Sequence, residues 1–247
     1  MKKIYRYLKS LFQNKKDTAS RQAYNIWAGS YDAQPNNLML ALDEIVFSEL
    51  FGLVHSKGVV VADIGCGTGR HWKKIMDTAP AGLTGFDVSE NMLARLQQKF
   101  PQAVTHVIQH HLLQPLPDKS CGLLISTLTI AHIANAEAAL HEWNRVVAPG
   151  GHIIITDYHP TALKKGAKRT FKSGNETVVI KNYVHAVDTI CSVAKQLNLS
   201  MVRLIEKNID DSMRPYYEKQ DALAVFEAWK GTPVIYGLLL HKPDDTV

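Results

Sequence analysis

The stretch that most constrains this chain is Val59-Val60-Val61-Ala62-Asp63-Ile64-Gly65-Cys66-Gly67-Thr68-Gly69. β-Branched residues run into an aspartate, and a glycine-rich turn follows at once. An apolar run of this length bounded by glycine reads as a buried parallel strand. The glycines reach backbone conformations closed to other residues and let a ligand approach the main chain. Residues 70–79 then read as a helix whose first N–H groups point back at that ligand. Strand, tight loop and helix start together make a nucleotide-type site at the carboxyl end of a strand. The spacing is G-x-G-x-G, whereas dinucleotide loops have G-x-G-x-x-G. An acid also stands two residues before the first glycine. A carboxylate there repels a pyrophosphate and suits a ligand that carries positive charge.

On these residues, Asp63-Ile64-Gly65-Cys66-Gly67-Thr68-Gly69 resembles the first motif of class I S-adenosylmethionine-dependent methyltransferases. In that family the loop wraps the methionine part of the cofactor and the acid lies near its amino group. A second strand, Leu83-Thr84-Gly85-Phe86-Asp87, ends in an acid placed to accept hydrogen bonds from both hydroxyls of a ribose. The other role open to Asp87 is electrostatic support of the helix that follows, which Ser89 caps. Gly85-Phe86-Asp87-Val88-Ser89 with Met92-Leu93 resembles the family's second motif, in which Val88 faces the adenine. Tyr24-Asn25-Ile26-Trp27-Ala28-Gly29-Ser30-Tyr31-Asp32 resembles a segment that forms a lid over cofactor and substrate. The alternative is a set of aromatic side chains anchoring a helix to the core. The resemblance is to the small-molecule type, similar to the ubiquinone/menaquinone-like group. It implies S-adenosyl-L-methionine as cofactor. It places Tyr31, Asp63, Gly65, Cys66, Gly67 and Asp87 around it, together with Val88, Met92, His111, Leu112 and Thr127.

The chain departs from that pattern in two places. After a third strand at 103–108 comes Gln109-His110-His111, and His111 aligns with the acid that often meets the adenine amino group. A neutral imidazole nitrogen can accept that hydrogen bond, and an imidazolium cannot. Adjacent histidines with no third ligand do not make a metal site, so no metal is expected. The fourth strand, 122–128, opens with Cys121-Gly122 in place of the usual Phe-Asp. Beyond it, Ser126-Thr127-Leu128-Thr129-Ile130-Ala131-His132-Ile133 lacks the Asn/Asp-Pro-Pro-Tyr-like motif that holds an amine. That argues against adenine-N6, cytosine-N4 and glutamine-amide methylation, and no DNA partner is expected. Arg145-Val146-Val147-Ala148-Pro149-Gly150-Gly151 resembles the family's "R-x-L-x-P-G-G" turn. A fifth strand covers 152–157, and the last two cover 200–209 and 234–241. Strands alternating with helices predict an α/β fold: a doubly wound, mostly parallel seven-stranded sheet with N-terminal helices and a cap insertion after strand 5.

The chain has 247 residues, 46% hydrophobic and 21% charged, which is ordinary for a globular protein. Net charge is +5 and pI about 9.0, which allows an acidic substrate or an anionic surface. Three scattered cysteines imply neither a disulfide framework nor a zinc site. With no signal peptide or spanning segment, the cytoplasm is the expected location. Met1–Phe12 sets Ile4, Leu8, Leu11 and Phe12 at helical spacing among Lys2, Lys3, Arg6 and Lys9. This suits a basic amphipathic helix in peripheral contact with the inner face of a membrane; the other reading is a helix packed on its own domain or a frayed basic tail. Residues 1–20 are thus set apart from a single methyltransferase-like domain over 21–247. Within it, 159–183 forms a substrate cap rich in lysine, or a solvated face.

A phenol, carbon acid or amine acceptor must lose a proton during methyl transfer, and imidazole is the natural base near neutral pH. The candidates are His159, His132 and His185; a carboxylate or thiol acceptor needs none. His132 either lines the pocket or caps the helix after it. The function expected is methyl transfer to a small-molecule acceptor, lipophilic or acidic. An RNA or protein methyltransferase and a non-catalytic cofactor-binding scaffold are the alternatives.

Overall fold

The computed structural model describes residues 17–34, 36–109 and 111–245; the basic segment Met1–Phe12 lies outside them. Two helices come first, α1 (Ser20–Trp27) and α2 (Leu38–Phe51). Asn37 caps α2, its side-chain oxygen accepting from Met39 N and Leu40 N. The alternating section follows as β1 (Val60–Ile64), α3 (Trp72–Met76), β2 (Gly82–Asp87), α4 (Glu90–Lys99), β3 (Val104–Val107), β4 (Cys121–Thr127), α5 (Ala136–Val146) and β5 (Val147–Tyr158). Then come α6 (Pro160–Lys164) and a separate hairpin, β6 (Thr170–Ser173) with β7 (Glu176–Val179). The chain closes with α7 (Val187–Gln196), β8 (Ser200–Asn208), α8 (Arg214–Glu218), α9 (Leu223–Trp229) and β9 (Pro233–His241).

The main sheet has seven strands in the order β3-β2-β1-β4-β5-β9-β8, the doubly wound α/β sheet expected. The first five run parallel, and β9 lies antiparallel to both β5 and β8. Side chains alternate across the sheet and so feed two cores. Ala62, Ile64, Leu124, Ile153, Ile155 and Leu238 pack with α5 and α7 on one face. Val61, Leu123, Ile125, Ile154 and Leu239 pack with α2 on the other. The chain moves outward in opposite directions from β1 and β4, so the crevice at their carboxyl ends is a topological switch point.

Three local expectations change. The helix after the glycine loop covers Trp72–Met76 only. Ala79 takes φ +54 ahead of Pro80, and a residue before proline is steered away from the helical region. The fifth strand starts at Val147, inside the expected turn. Gly150 at φ +74 keeps the chain beside its neighbour, donating from its N–H to Lys242 O at 2.9 Å. Between the last two strands the sequence suggests one helix within 211–231; the segment holds a short 3₁₀ turn, α8 and α9, with Asp221 at φ +54 between the two helices. Among the described residues no helix is long and apolar enough to cross a membrane.

Helix α2 packs closely on the sheet at Gly237 of β9. A Cβ there would lie 2.3 Å from Val46 Cγ1 and 2.9 Å from Leu50 Cδ1, both on α2. Gly237→Ala is therefore expected to destabilise the fold by about 1–3 kcal/mol through overpacking. Urea unfolding measures this, and an unchanged midpoint would show that α2 is free to move off the sheet.

Candidate active site

The glycine loop is fastened to the end of β2. Gly65 N and Cys66 N both donate to Phe86 O, at 2.6 and 3.1 Å. Gly67 N donates to Asp87 Oδ2 at 2.9 Å, and Ser89 N to Asp87 Oδ1 at 2.8 Å. Ser89 Oγ accepts from Met92 N and so caps α4. Burial pushes the Asp87 carboxyl up to about 6 even against those backbone donors. Gly67 has φ +53, and nothing lies within 4 Å of where its Cβ would stand, so the loop presents bare backbone to open space. Thr68 Oγ1 donates to Asp32 Oδ1 at 2.6 Å, which ties the loop to the end of the tyrosine-rich segment.

A cavity of about 340 Å³ opens in front of this loop. Of the residues singled out from the sequence, Tyr31, Gly65, Gly67 and Asp87 line it. So do Val88, Met92, His111, Thr127 and His132. Asp63, Cys66 and Leu112 are placed elsewhere. Asp63 is buried with Oδ2 accepting from Trp72 Nε1 at 2.8 Å, and burial raises its carboxyl to about 6. Cys66 turns into a small cluster with Trp72, Leu93 and Leu96, and Leu112 is exposed.

Helix α1 closes the cavity from above. Asn25 fixes it to α4: its Oδ1 accepts from Ser89 Oγ at 2.6 Å and Asn91 N at 3.1 Å, and its O accepts from Asn91 Nδ2. Trp27 stacks on Phe171 of the hairpin with ring centroids 4.6 Å apart. Thr18 bridges Ile180 just ahead of α1. Lid and cap are thus one layer. Arg169 pins that layer to the sheet, donating to Asp157 Oδ1 and to Leu128 O while its guanidinium lies 4.4 Å over the Tyr158 ring. Asp157 Oδ2 also accepts from Ala131 N at 2.8 Å. Neither the contacts of Asn25 nor the burial of Arg169, which falls within the lysine-rich stretch 159–183, was read from the sequence.

The three histidines have different neighbours. His132 Nδ1 lies 3.0 Å from Lys181 O, a pure acceptor, so the proton sits on Nδ1. Its Nε2 lone pair then faces Arg169 Nη1 at 2.7 Å and the Tyr24 hydroxyl at 2.9 Å. Burial, with the Arg169 guanidinium alongside, holds His132 well below the usual imidazole range. His159 caps α6, its Nδ1 accepting from Thr161 N at 3.1 Å, and its Nε2–H donates to Glu206 Oε1 at 2.7 Å. His185 Nε2 donates to Ile133 O at 2.8 Å. Neither His159 nor His185 lines the cavity.

A second cavity, of about 540 Å³, lies between the cap and the C-terminal helices α8 and α9. Tyr158 lines it, and the Tyr158 phenol is driven up by burial and by Tyr24 and Tyr31 close by. Tyr24 and Tyr31 line the first cavity, and Arg169, over Tyr158 and hydrogen-bonded to His132, stands between the two cavities.

Residues 62–155 match the family model described as a methyltransferase domain. Among curated proteins, the chain is 29% identical to a biotin biosynthesis bifunctional protein of Teredinibacter turnerae, over 78% of this chain and 35% of that one. It is 34% identical to a malonyl-[acyl-carrier protein] O-methyltransferase of Serratia marcescens, over 60% of this chain and 58% of the other. The matches thus span 35% and 58% of these relatives' lengths. Among solved structures, an S-adenosylmethionine-dependent methyltransferase from Mesorhizobium loti shares the fold with TM-score 0.60 and 17% identity, covering 79% of this chain and 97% of that one. The cavity fits the cofactor such a fold implies. It combines a bare backbone cradle at Gly67, an acid with spare lone pairs at Asp87, and apolar walls at Val88, Met92 and Ile108.

The Arg169–Asp157 pair has side chains 3% and 1% exposed. Removing one partner strands a buried charge, so Arg169→Met is expected to cost about 3–5 kcal/mol. The double variant Arg169→Met, Asp157→Leu should cost markedly less than the sum of the single changes. Denaturant unfolding of the four proteins checks it; strict additivity would show that the two groups do not act as a pair.

Proposed function

We propose that this chain, which belongs to the class I S-adenosylmethionine-dependent methyltransferases, transfers a methyl group to a small-molecule acceptor. The observation that carries this reading is the pairing of Gly67 backbone and Asp87 carboxylate at the switch-point cavity. S-Adenosylmethionine bound there supplies an electrophilic methyl carbon. Asp87 accepts hydrogen bonds from the ribose hydroxyls on the lone pairs that Gly67 N and Ser89 N leave free. Val88, Met92 and Ile108 wall the adenine, and His111 accepts from its amino group. Gly65 and Gly67 let the methionine part lie against the main chain, and Tyr31 covers it from the lid.

The protein's part in the reaction is alignment, holding nucleophile and methyl carbon at roughly 3–3.5 Å in line with the breaking bond. Tyr24 and His132 form a hydrogen-bonded wall that orients the acceptor and excludes water. His132 keeps its lone pair on Arg169 and Tyr24, so it acts as an orienting group. His159 and His185 hold the cap and the loop after β4. The malonyl-[acyl-carrier protein] relative supports a small acidic acceptor for this chain, as does the net charge of +5.

The test is calorimetric titration with S-adenosylmethionine. Asp87→Ala is expected to weaken binding by about 1.5–3 kcal/mol, the range for hydrogen bonds to a charged group. In the ligand-free protein the Asp87 carboxyl is raised to about 6, and only the ionised form accepts from both hydroxyls. Affinity is therefore full above pH 6 and declines as pH falls through it, and the decline is absent in Asp87→Ala. Equal affinity in both proteins, with the variant folded, would remove Asp87 from the ribose site.

A further inference from the structure

We infer that the second cavity receives the methyl acceptor, and that the acceptor is an amphipathic carboxylic acid methylated on its ionised oxygen without a protein base. This rests on the methyltransferase reading above. The first cavity is taken up by the cofactor, so the acceptor needs space of its own. The second cavity is the larger of the two, and Arg169 stands between them: its guanidinium lies over Tyr158, which lines the second, and Nη1 donates to His132 Nε2, which lines the first.

Its lining states the chemistry of the occupant. Leu38, Met39, Val225, Trp229 and Val234 give it a broad apolar side, suited to a hydrocarbon or ring body. Among the described residues, none that lines it is Asp or Glu, and Lys168 stands at its rim. A cationic occupant finds no counter-charge there, and an anionic one does. Between the two cavities, Arg169 Nε is buried and has no hydrogen-bond partner. The same guanidinium lies over Tyr158 and reaches His132. An anionic oxygen in the second cavity meets Lys168 and the Tyr158 and Tyr216 side chains, and no carboxylate among the described residues that line it.

The region around Arg169 lacks a base. His132 Nε2 already faces Arg169 and Tyr24, and its imidazole sits well below the range in which it takes a proton near neutrality. Asp157 is held by Arg169 and by the Ala131 and Tyr158 N–H groups. Burial pushes the Tyr24 phenol up to about 12. A nucleophile that must lose a proton has nothing here to take it, whereas a carboxylate is already ionised. Its oxygen forms a new bond to the methyl carbon as the carbon–sulfur bond breaks. The electron pair of that bond stays on sulfur, the sulfonium and carboxylate charges cancel, and the product is a methyl ester. No proton is released.

The full chain is incubated with methyl-labelled S-adenosylmethionine and the low-molecular-mass fraction of a cell extract, and the labelled product is treated with mild alkali. An ester releases its label as methanol, the result expected. Label that survives alkali, as in an ether, amine, thioether or C-methyl product, overturns the carboxylate assignment. Calorimetry with decanoate and with decyltrimethylammonium tests the cavity. Decanoate should bind about tenfold or more tightly than the cation, and Lys168→Glu should narrow that gap. Val225→Trp fills the cavity and should weaken decanoate by at least about tenfold. Val225 does not line the first cavity, so S-adenosylmethionine affinity reports whether the variant is intact. Decanoate affinity unchanged in both variants overturns the placement. Wild-type protein that binds no S-adenosylmethionine defeats the methyltransferase reading itself, a separate outcome.

Discussion

The ion pair between Arg169 and Asp157 is the constraint on which the working edge of this molecule depends. Asp157 is the last residue but one of β5, and Arg169, twelve residues on, immediately precedes the cap hairpin. Taking both charges out of water is expensive, and the pair is tolerated because nearly every lone pair and proton is used. Asp157 accepts from Ala131 N and Tyr158 N, and Arg169 donates to Leu128 O. Those bonds fix the turn after β4, where Leu128 adopts φ +52, a conformation a branched side chain rarely takes without support. The turn in turn sets Thr127 and His132 on the wall of the first cavity. One buried guanidinium therefore positions the cap, the end of β4 and the boundary between the two cavities.

Parts of the site with a local cause were legible in the sequence. The glycine loop, the acid closing β2 and the Ser89 cap announce themselves by residue type within a few positions. The continuous apolar runs of β1, β4 and β5 announce the buried sheet. Parts made by distant partners were not legible. Asp63 looked like a ligand-facing acid, yet its partner is the Trp72 indole, a pairing that only the path of the chain after the loop decides. Lys168 and Arg169 are neighbours in a basic run, yet one is exposed and the other buried. Charge pattern alone does not separate them, because the difference lies in Asp157. His159 stood at a strand end where a base belongs, and it caps a helix instead. Nothing in the segment after Asp210 foretells the second cavity, which Tyr216, Val225 and Trp229 of two short helices help to line.

The fold leaves the reaction open, and the side chains narrow it. Sheets of this topology place any ligand at the switch point, and a likeness at 17% identity carries the fold alone. Around Tyr24, His132 and Tyr158 the chain keeps little proton-transfer capacity. His132 is committed to Lys181 O, Arg169 and Tyr24, and the tyrosines there are displaced away from neutrality. Methyl transfer tolerates such a site better than most reactions, because the leaving group departs as a neutral thioether and asks for no acid. The burden falls on geometry, and a hydrogen-bonded, water-poor wall is suited to hold it.

That wall also links the two cavities mechanically. Asn25 joins α1 to the Ser89 turn, one hydrogen bond from Asp87, so whatever occupies the first cavity bears on the helix that carries Tyr24. Tyr24 meets His132, His132 meets Arg169, and Arg169 lies over Tyr158, which faces the second cavity. The chain of contacts is continuous, and its members are either buried or packed ring on ring, so a displacement at one end is not absorbed by loose side chains. One run of contacts thus reaches from the wall of the first cavity to the wall of the second, and Arg169 is the member that joins them.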